Sequence, residues 1–190
     1  MRRVTATDDA HDPGRRDFLF LATGAWAAAG AGFLAWPFIS QMNPDAASLA
    51  LGSTEVDLGQ ISEGQVVSIK WRGKPVFIWN RTKAQVEEAK KVDLGQLPDK
   101  SARNENLPSD ADAADANRAA PGKENWLVVV GVCTHLGCIP LSNSGDFGGW
   151  LCPCHGSHYD SAGRIRRGPA PENLHVPPYA FEGDSKIKIG

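Results

Sequence analysis

Two textures divide the chain. Residues 18–44 carry no charged side chain, and 22 of them, FLFLATGAWAAAGAGFLAWPFI (18–39), are apolar or small almost throughout. Coiled as a helix, that stretch reaches roughly 33 Å at ~1.5 Å per residue, enough to cross a hydrocarbon core of about 30 Å. The pattern predicts a transmembrane helix over 17–39. Past Thr54 the texture becomes short β-branched runs. EVDLGQI (55–61), QVVSIKW (65–71) and KPVFIWN (74–80) read as strands parted by glycine turns at 63–64 and 72–74. NWLVVVGV (125–132) is continuously apolar, as a buried strand is. The C-terminal stretch offers two strands around a turn at 182–185, with Ile187 and Ile189 alternating with Lys186 and Lys188. Between 81 and 123 the β texture breaks. TKAQVEEAKKV (82–92) predicts a helix with Thr82 as N-cap and Glu87/Lys91 as an i, i+4 pair. The polar, Ala/Asp-rich residues that follow read as a solvated insertion. The expected class is mostly β, small antiparallel sheets with a helix/loop insertion, plus one N-terminal transmembrane helix.

Composition narrows the function classes. The 190 residues carry 20 Lys+Arg against 22 Asp+Glu, a formal charge of −2. With no basic excess, and no basic run longer than RIRR (164–167), nucleic acid is not an expected partner. Twenty Gly and 13 Pro favour turns and short strands over a helical bundle. All four Cys lie between 133 and 154, too clustered to staple the whole chain as a disulfide mini-protein.

Arg15 and Arg16, in GRRDFLFL, precede the apolar run, with Arg2 and Arg3 upstream. The pair resembles a twin-arginine export signal and also satisfies the positive-inside rule. Either way, residues 1–16 stay in the cytoplasm and the chain beyond 40 lies outside. The apolar segment exceeds the usual signal-peptide core of about 7–15 residues, which favours a retained anchor over cleavage near the small residues at 46–50. Gly24, Ala28 and Gly32 recur every fourth position and could pack closely against another helix. Residues 40–53 read as a flexible tether, reaching at most about 45–50 Å if fully extended.

The chemistry sits in two loops within 133–160: Cys133-Thr134-His135-Leu136-Gly137-Cys138 and Cys152-Pro153-Cys154-His155-Gly156-Ser157-His158-Tyr159-Asp160. Each arm offers both thiolate and imidazole, a donor set suited to zinc or iron–sulfur. Zinc fingers of the two-Cys, two-His type place Cys on one arm and His on the other. Here the two are mixed, with an additional Cys beside each pair.

Both loops resemble the Rieske iron–sulfur motif without a mismatch. The likeness extends through the neighbouring strands and Gly168-Pro169-Ala170-Pro171. The anchor-plus-head layout is similar to the Rieske subunits of quinol–cytochrome c reductases of alphaproteobacteria. The resemblance implies one 2Fe–2S cluster, with Cys133 and Cys152 on one iron and His135 and His155 on the other. Two neutral imidazoles make such a cluster less negative, and potentials run from about −150 to +300 mV against about −400 mV for all-Cys plant-type clusters. It also implies a disulfide between Cys138 and Cys154. Ser157 is implied as hydroxyl donor to a bridging sulfide, and Tyr159 as phenol donor to a ligating sulfur. His155 and His135 are implied as the quinol-facing ligands, and Leu136 as an apolar contact with a cytochrome b subunit. His158 holds no ligand position and reads as structural; Gly156, Gly163 and the 145–149 turn read as backbone geometry. The implied function is to take an electron and a proton from ubiquinol and pass the electron to a c-type cytochrome, contributing to a proton-motive force. The implied setting is a dimeric complex in the bacterial inner membrane, the head periplasmic and swinging on its tether between two docking surfaces. Soluble Rieske ferredoxins and oxygenase components usually lack the extra Cys pair and the anchor. Another exported oxidoreductase such as arsenite oxidase can share the leader, while the SHYD segment and the 81–123 insertion favour the respiratory complex. A structural zinc module is the alternative without redox chemistry.

Overall fold

A computed structural model of the chain describes residues 14–46, 48 and 52–190. Arg2, Arg3 and the rest of 1–13 lie outside the described residues, as do 47 and 49–51 of the expected tether. The chain divides into two compact units, residues 1–46 and 47–190.

In the first unit, α1 (Arg15–Ser40) takes in the whole apolar run, starting two residues earlier and ending one later than expected. An 18-residue stretch of it has a mean hydropathy of 1.6, and among the described residues none of its side chains is buried within the protein. Phe18, Trp26, Phe33, Leu34 and Trp36 all stand exposed, a surface that only a lipid phase or another apolar partner would solvate well. Ala46 and Ser48 are helical, so the tether is not the fully extended chain that its composition allows.

The second unit is three antiparallel sheets. β1 (Thr54–Asp57), β11 (Lys186–Ile189) and β10 (Tyr179–Glu182) form the first. β2 (Val66–Trp71), β3 (Lys74–Asn80), β5 (Lys123–Val130) and β4 (Ala119–Ala120) form the second. β6 (Leu141–Ser144), β7 (Gly148–Cys152), β8 (Ser157–Asp160) and β9 (Ile165–Arg167) form the third.

The second sheet is the middle layer, because successive strand residues point to opposite faces and both faces are covered. Val76 and Ile78 of β3, with Val128 and Val130 of β5, pack with Ile187 and Ile189 of the first sheet. The intervening Phe77, Trp79, Leu127 and Val129 pack with Trp150, Tyr159 and Ile165 of the third. A strand sandwiched in this way has no polar face, which is why NWLVVV reads as an unbroken apolar run. The expected 55–61 strand stops at Asp57; its side chain accepts from the Gly59 N–H and opens a 3-10 turn over Leu58–Gln60.

The insertion departs from expectation. Its helix, α2 (Lys83–Lys90), carries the Thr82 cap, with Gln85 completing a reciprocal capping box. Glu87 pairs with Lys90 at 3.1 Å rather than with Lys91. The residues after α2 are not a solvated excursion: Leu97, Ala102, Ala113, Asp115 and Arg118 are buried. Charged groups do this by finding partners. Arg81 pairs with Asp115 at 2.5 Å and donates to the carbonyls of Glu124 and Ser161. Arg118 donates to the carbonyls of Ala102, Ala162, Gly163 and Leu174. Arg164 binds Asp160 at 2.8 Å and the carbonyls of Ala113 and Ala89. Three buried guanidiniums thus sew the insertion to the turn that follows β8.

Candidate metal centre

Two loops of like construction meet at one end of the second unit. The first follows β5 and leads into β6; the second is the tip of the β7–β8 hairpin, where Cys152 pairs with Ser157. Each turns back on its leading Cys through a glycine four residues on. Gly137 N–H donates to the Cys133 carbonyl at 2.9 Å, and Gly156 N–H to the Cys152 carbonyl at 3.0 Å. Both glycines have left-handed backbones, φ 82° and 71°, a conformation that side-chain-bearing residues adopt at a cost. The turns present Cys133 with His135, and Cys152 with His155.

Cys138 and Cys154 are joined in a disulfide that clasps the loops together. Cys133 and Cys152 are free and buried. The sulfurs of Cys138, Cys152 and Cys154 lie within 4.8 Å of one another. Two of those three are spent in the disulfide, so this trio cannot act as three thiolates, which counts against a cysteine-rich zinc module. The rings of His135 and His155 meet edge to face with centroids 4.6 Å apart. His135 is half-buried and His155 exposed, with Leu136 beside them 71% exposed at the tip.

The donor set fits a mixed-ligand iron–sulfur group. Nδ1 of His135 is buried without a hydrogen-bond partner among the described residues. A buried imidazole nitrogen left that way is costly unless something binds it. Two buried thiols and two adjacent imidazoles could supply two sulfur and two nitrogen ligands, the Rieske complement.

Hydrogen bonds around the sulfurs are unequal. Ser157 and Tyr159 are two apart on β8 and share one face, the one turned towards Cys133. The Tyr159 hydroxyl donates to its Sγ at 3.3 Å. The Ser157 hydroxyl accepts the Ala170 N–H at 3.2 Å and lies close enough to help lower the Cys133 thiol. Burial alone would raise the Cys133 thiol, but these contacts, with the His135 N–H, bring it below its ordinary range. Cys152 is pushed up, by burial first and then by the neighbouring Cys133. The pair therefore favours negative charge on Cys133. Burial and the bond to Cys133 hold the Tyr159 phenol well above its usual range, so it remains a proton donor.

His158 faces away from this cluster. Its Nδ1 accepts the Asp146 N–H at 3.1 Å, its Nε2 lies 2.9 Å from Arg167, and Phe147 meets its ring edge-on. Gly145, where φ is 87°, leaves room for that ring. Thr134 was not singled out by sequence reasoning, although it stands inside the motif. Its hydroxyl donates to the Glu172 carbonyl at 2.7 Å and accepts the Glu172 N–H at 3.3 Å. Asn173, fully buried behind it, gave no local sequence signal at all.

Comparison with known proteins agrees with this geometry. Residues 54–179 match the Rieske [2Fe–2S] domain, and residues 5–45 match the "Ubiquitinol-cytochrome C reductase Fe-S subunit TAT signal" family. The ubiquinol–cytochrome c reductase iron–sulfur subunit of Bradyrhizobium diazoefficiens is 54% identical over 188 residues, covering 98% of this chain and all of that one. The protein of the same name from Cereibacter sphaeroides is 52% identical, covering 95% and 97%. A chain of a solved "Hyperthermophilic respiratory Complex III" superposes with a TM-score of 0.50 at 28% identity, covering 88% of this chain and 98% of that one. By fold, motif and full-length likeness, the chain belongs to the family of ubiquinol–cytochrome c reductase iron–sulfur subunits, with a Rieske head that carries one 2Fe–2S cluster.

Proposed function

We propose that this chain is the Rieske subunit of a respiratory cytochrome bc complex, taking one electron and one proton from ubiquinol and handing the electron to a c-type cytochrome. The observation that carries the reading is the pairing of His135 and His155 at the exposed tip above two buried free thiols. Cys133 and Cys152 would hold one iron, His135 and His155 the other. When bound, the cluster supplies a one-electron acceptor of raised potential.

The chain's own groups do the rest. The buried Nδ1 of His135 would hold the iron and leave Nε2 for the donor, and His155 would serve in the same way. Nε2 of His155 is the atom that receives the quinol hydroxyl's hydrogen bond and takes up its proton. Leu136 seats the tip against a cytochrome b subunit, keeping water from the donor. Ser157 and Tyr159 stabilise negative charge on the sulfur side. The disulfide between Cys138 and Cys154 holds both loops in one geometry, and it suits a head on the periplasmic face of the inner membrane. Arg15 and Arg16 keep the start of α1 on the cytoplasmic face. The complex is dimeric, its proton chemistry contributing to a proton-motive force.

Purification from detergent-solubilised membranes tests this reading. The chain should emerge with b- and c-type haem subunits and equal amounts of iron and acid-labile sulfide. Its ascorbate-reduced EPR signal should show nitrogen ligation. A preparation without iron, or with sulfur-only ligation, would falsify the proposal.

A further inference from the structure

The insertion reaches the metal centre through a continuous run of contacts. Asp99, buried, uses Oδ2 to accept the Asn173 N–H at 2.9 Å and the Arg103 Nε–H at 3.0 Å. Arg103 also binds the Glu172 carboxylate at 3.1 Å. The Asn173 side chain donates to the carbonyls of Asp99 and Ser101, at 3.1 and 2.8 Å, and accepts the Ile165 N–H at 2.9 Å. Residues 172–173 are thereby gripped from the insertion side. Their other side is the main chain of Glu172, which exchanges two hydrogen bonds with the Thr134 hydroxyl.

Counting protons shows why the grip matters. Thr134 has one hydroxyl proton, and the Glu172 carbonyl takes it at 2.7 Å. Towards Tyr159, 3.4 Å away, Thr134 can then only accept, and the Glu172 N–H already occupies part of that capacity. The Tyr159 oxygen meanwhile accepts the Thr134 N–H at 3.3 Å. Its single proton is left for Cys133 Sγ, also at 3.3 Å.

We infer that Asp99 and Arg103 of the insertion are positioning residues for the redox centre: by clamping Glu172 onto Thr134, they commit the Tyr159 proton to the Cys133 sulfur. Loosening the clamp frees the Thr134 hydroxyl to exchange hydrogen bonds with Tyr159, and the sulfur loses its donor part of the time. This rests on the ligand and donor roles given to Cys133 and Tyr159 above.

The test is an EPR-monitored redox titration of the intact complex in membranes, with cluster content read from the fully reduced signal. Arg103→Leu is the first variant, because Arg103 is partly exposed and its loss leaves the core packed. Asp99→Asn, nearly isosteric, is the second. Both should lower the midpoint by less than Tyr159→Phe does, at parental cluster content. Introduced into Tyr159→Phe, neither should shift the midpoint further, since the donor they position is gone. Equal shifts in the two backgrounds, or parental midpoints in both single variants, would overturn the clamp while leaving the ligand assignment standing. A parental midpoint in Tyr159→Phe itself would overturn the donor role and the clamp together.

Discussion

Ser157 and Tyr159 both face the ligand loops because β8 places alternate residues on one face, and neither is exposed. A hydrogen bond to an atom that gains negative charge on reduction stabilises the reduced form more than the oxidised one. Net values for bonds to charged groups run to about 1.5–3 kcal/mol. If roughly half of that separates the two redox states, each bond is worth about 30–65 mV, given 59 mV per factor of ten for one electron. Ser157→Ala and Tyr159→Phe should each lower the midpoint by that order and slow quinol oxidation, with the cluster still assembled. Redox titration beside iron analysis checks both. Gly149 is critical for another reason. A Cβ there would stand 2.1 Å from the Asp160 carbonyl oxygen, where β7 crosses β8. Backbone cannot yield as a flexible side chain can, so Gly149→Ala should separate the strands. The expected outcome is a loss of more than roughly 3 kcal/mol, seen as a lowered melting temperature and low cluster yield.

At the scale of elements, the insertion contributes more than its composition suggests. Arg118 satisfies four carbonyls at once from a fully buried position. Burial pushes its guanidinium down to about 10, so it remains charged at neutral pH. Arg118→Met would strand those carbonyls and destabilise the head by roughly 3–5 kcal/mol, measurable by urea unfolding. Asp99 carries a pH dependence. Burial opposes its charge, but the Asn173 and Ser101 N–H groups and Arg103 more than offset this and set its pKa below the ordinary 3.8. A carboxylate depressed in the folded state adds stability that is full above its unfolded pKa and is lost as pH falls through the folded one. Parental protein should therefore lose stability below about pH 4, and Asp99→Asn should flatten that part of the curve. The same elements show what sequence reading could reach. β3 was legible from its unbroken apolar run and the C-terminal hairpin from alternation and turn residues, which are all local signals. The Rieske motif was legible because its Cys and His residues and their spacing are written in a few adjacent positions. β6, β7 and β9 were not, since LSNS, GGWLC and IRR show no clean period of two. Nor was the burial of Arg81, Asp115 and Arg118, because a charged residue reads as solvated until its distant partner is known.

At the scale of the whole molecule, an apolar helix and an exposed redox tip belong to different units of one chain. On the proposed function, the donor is dissolved in lipid and the acceptor lies outside it, so a tip that serves two surfaces would travel within the limits of its tether. Fourteen extended residues reach about 45–50 Å, but helical residues such as Ala46 and Ser48 advance only ~1.5 Å each. Ala46 and Ser48 alone thus make the available reach shorter than the composition allows. Prolines placed across 46–51 fix φ and hold the chain as a stiff rod of about 3.1 Å per residue. They should slow flash-induced reduction of the c-type cytochrome while midpoint and cluster content stay parental, whereas Gly/Ser replacements of the same residues should not. If the proline variant passed electrons at the parental rate, the tip would have to reach both surfaces without rotating about its tether. Long-range transfer from a fixed head would then replace the moving one.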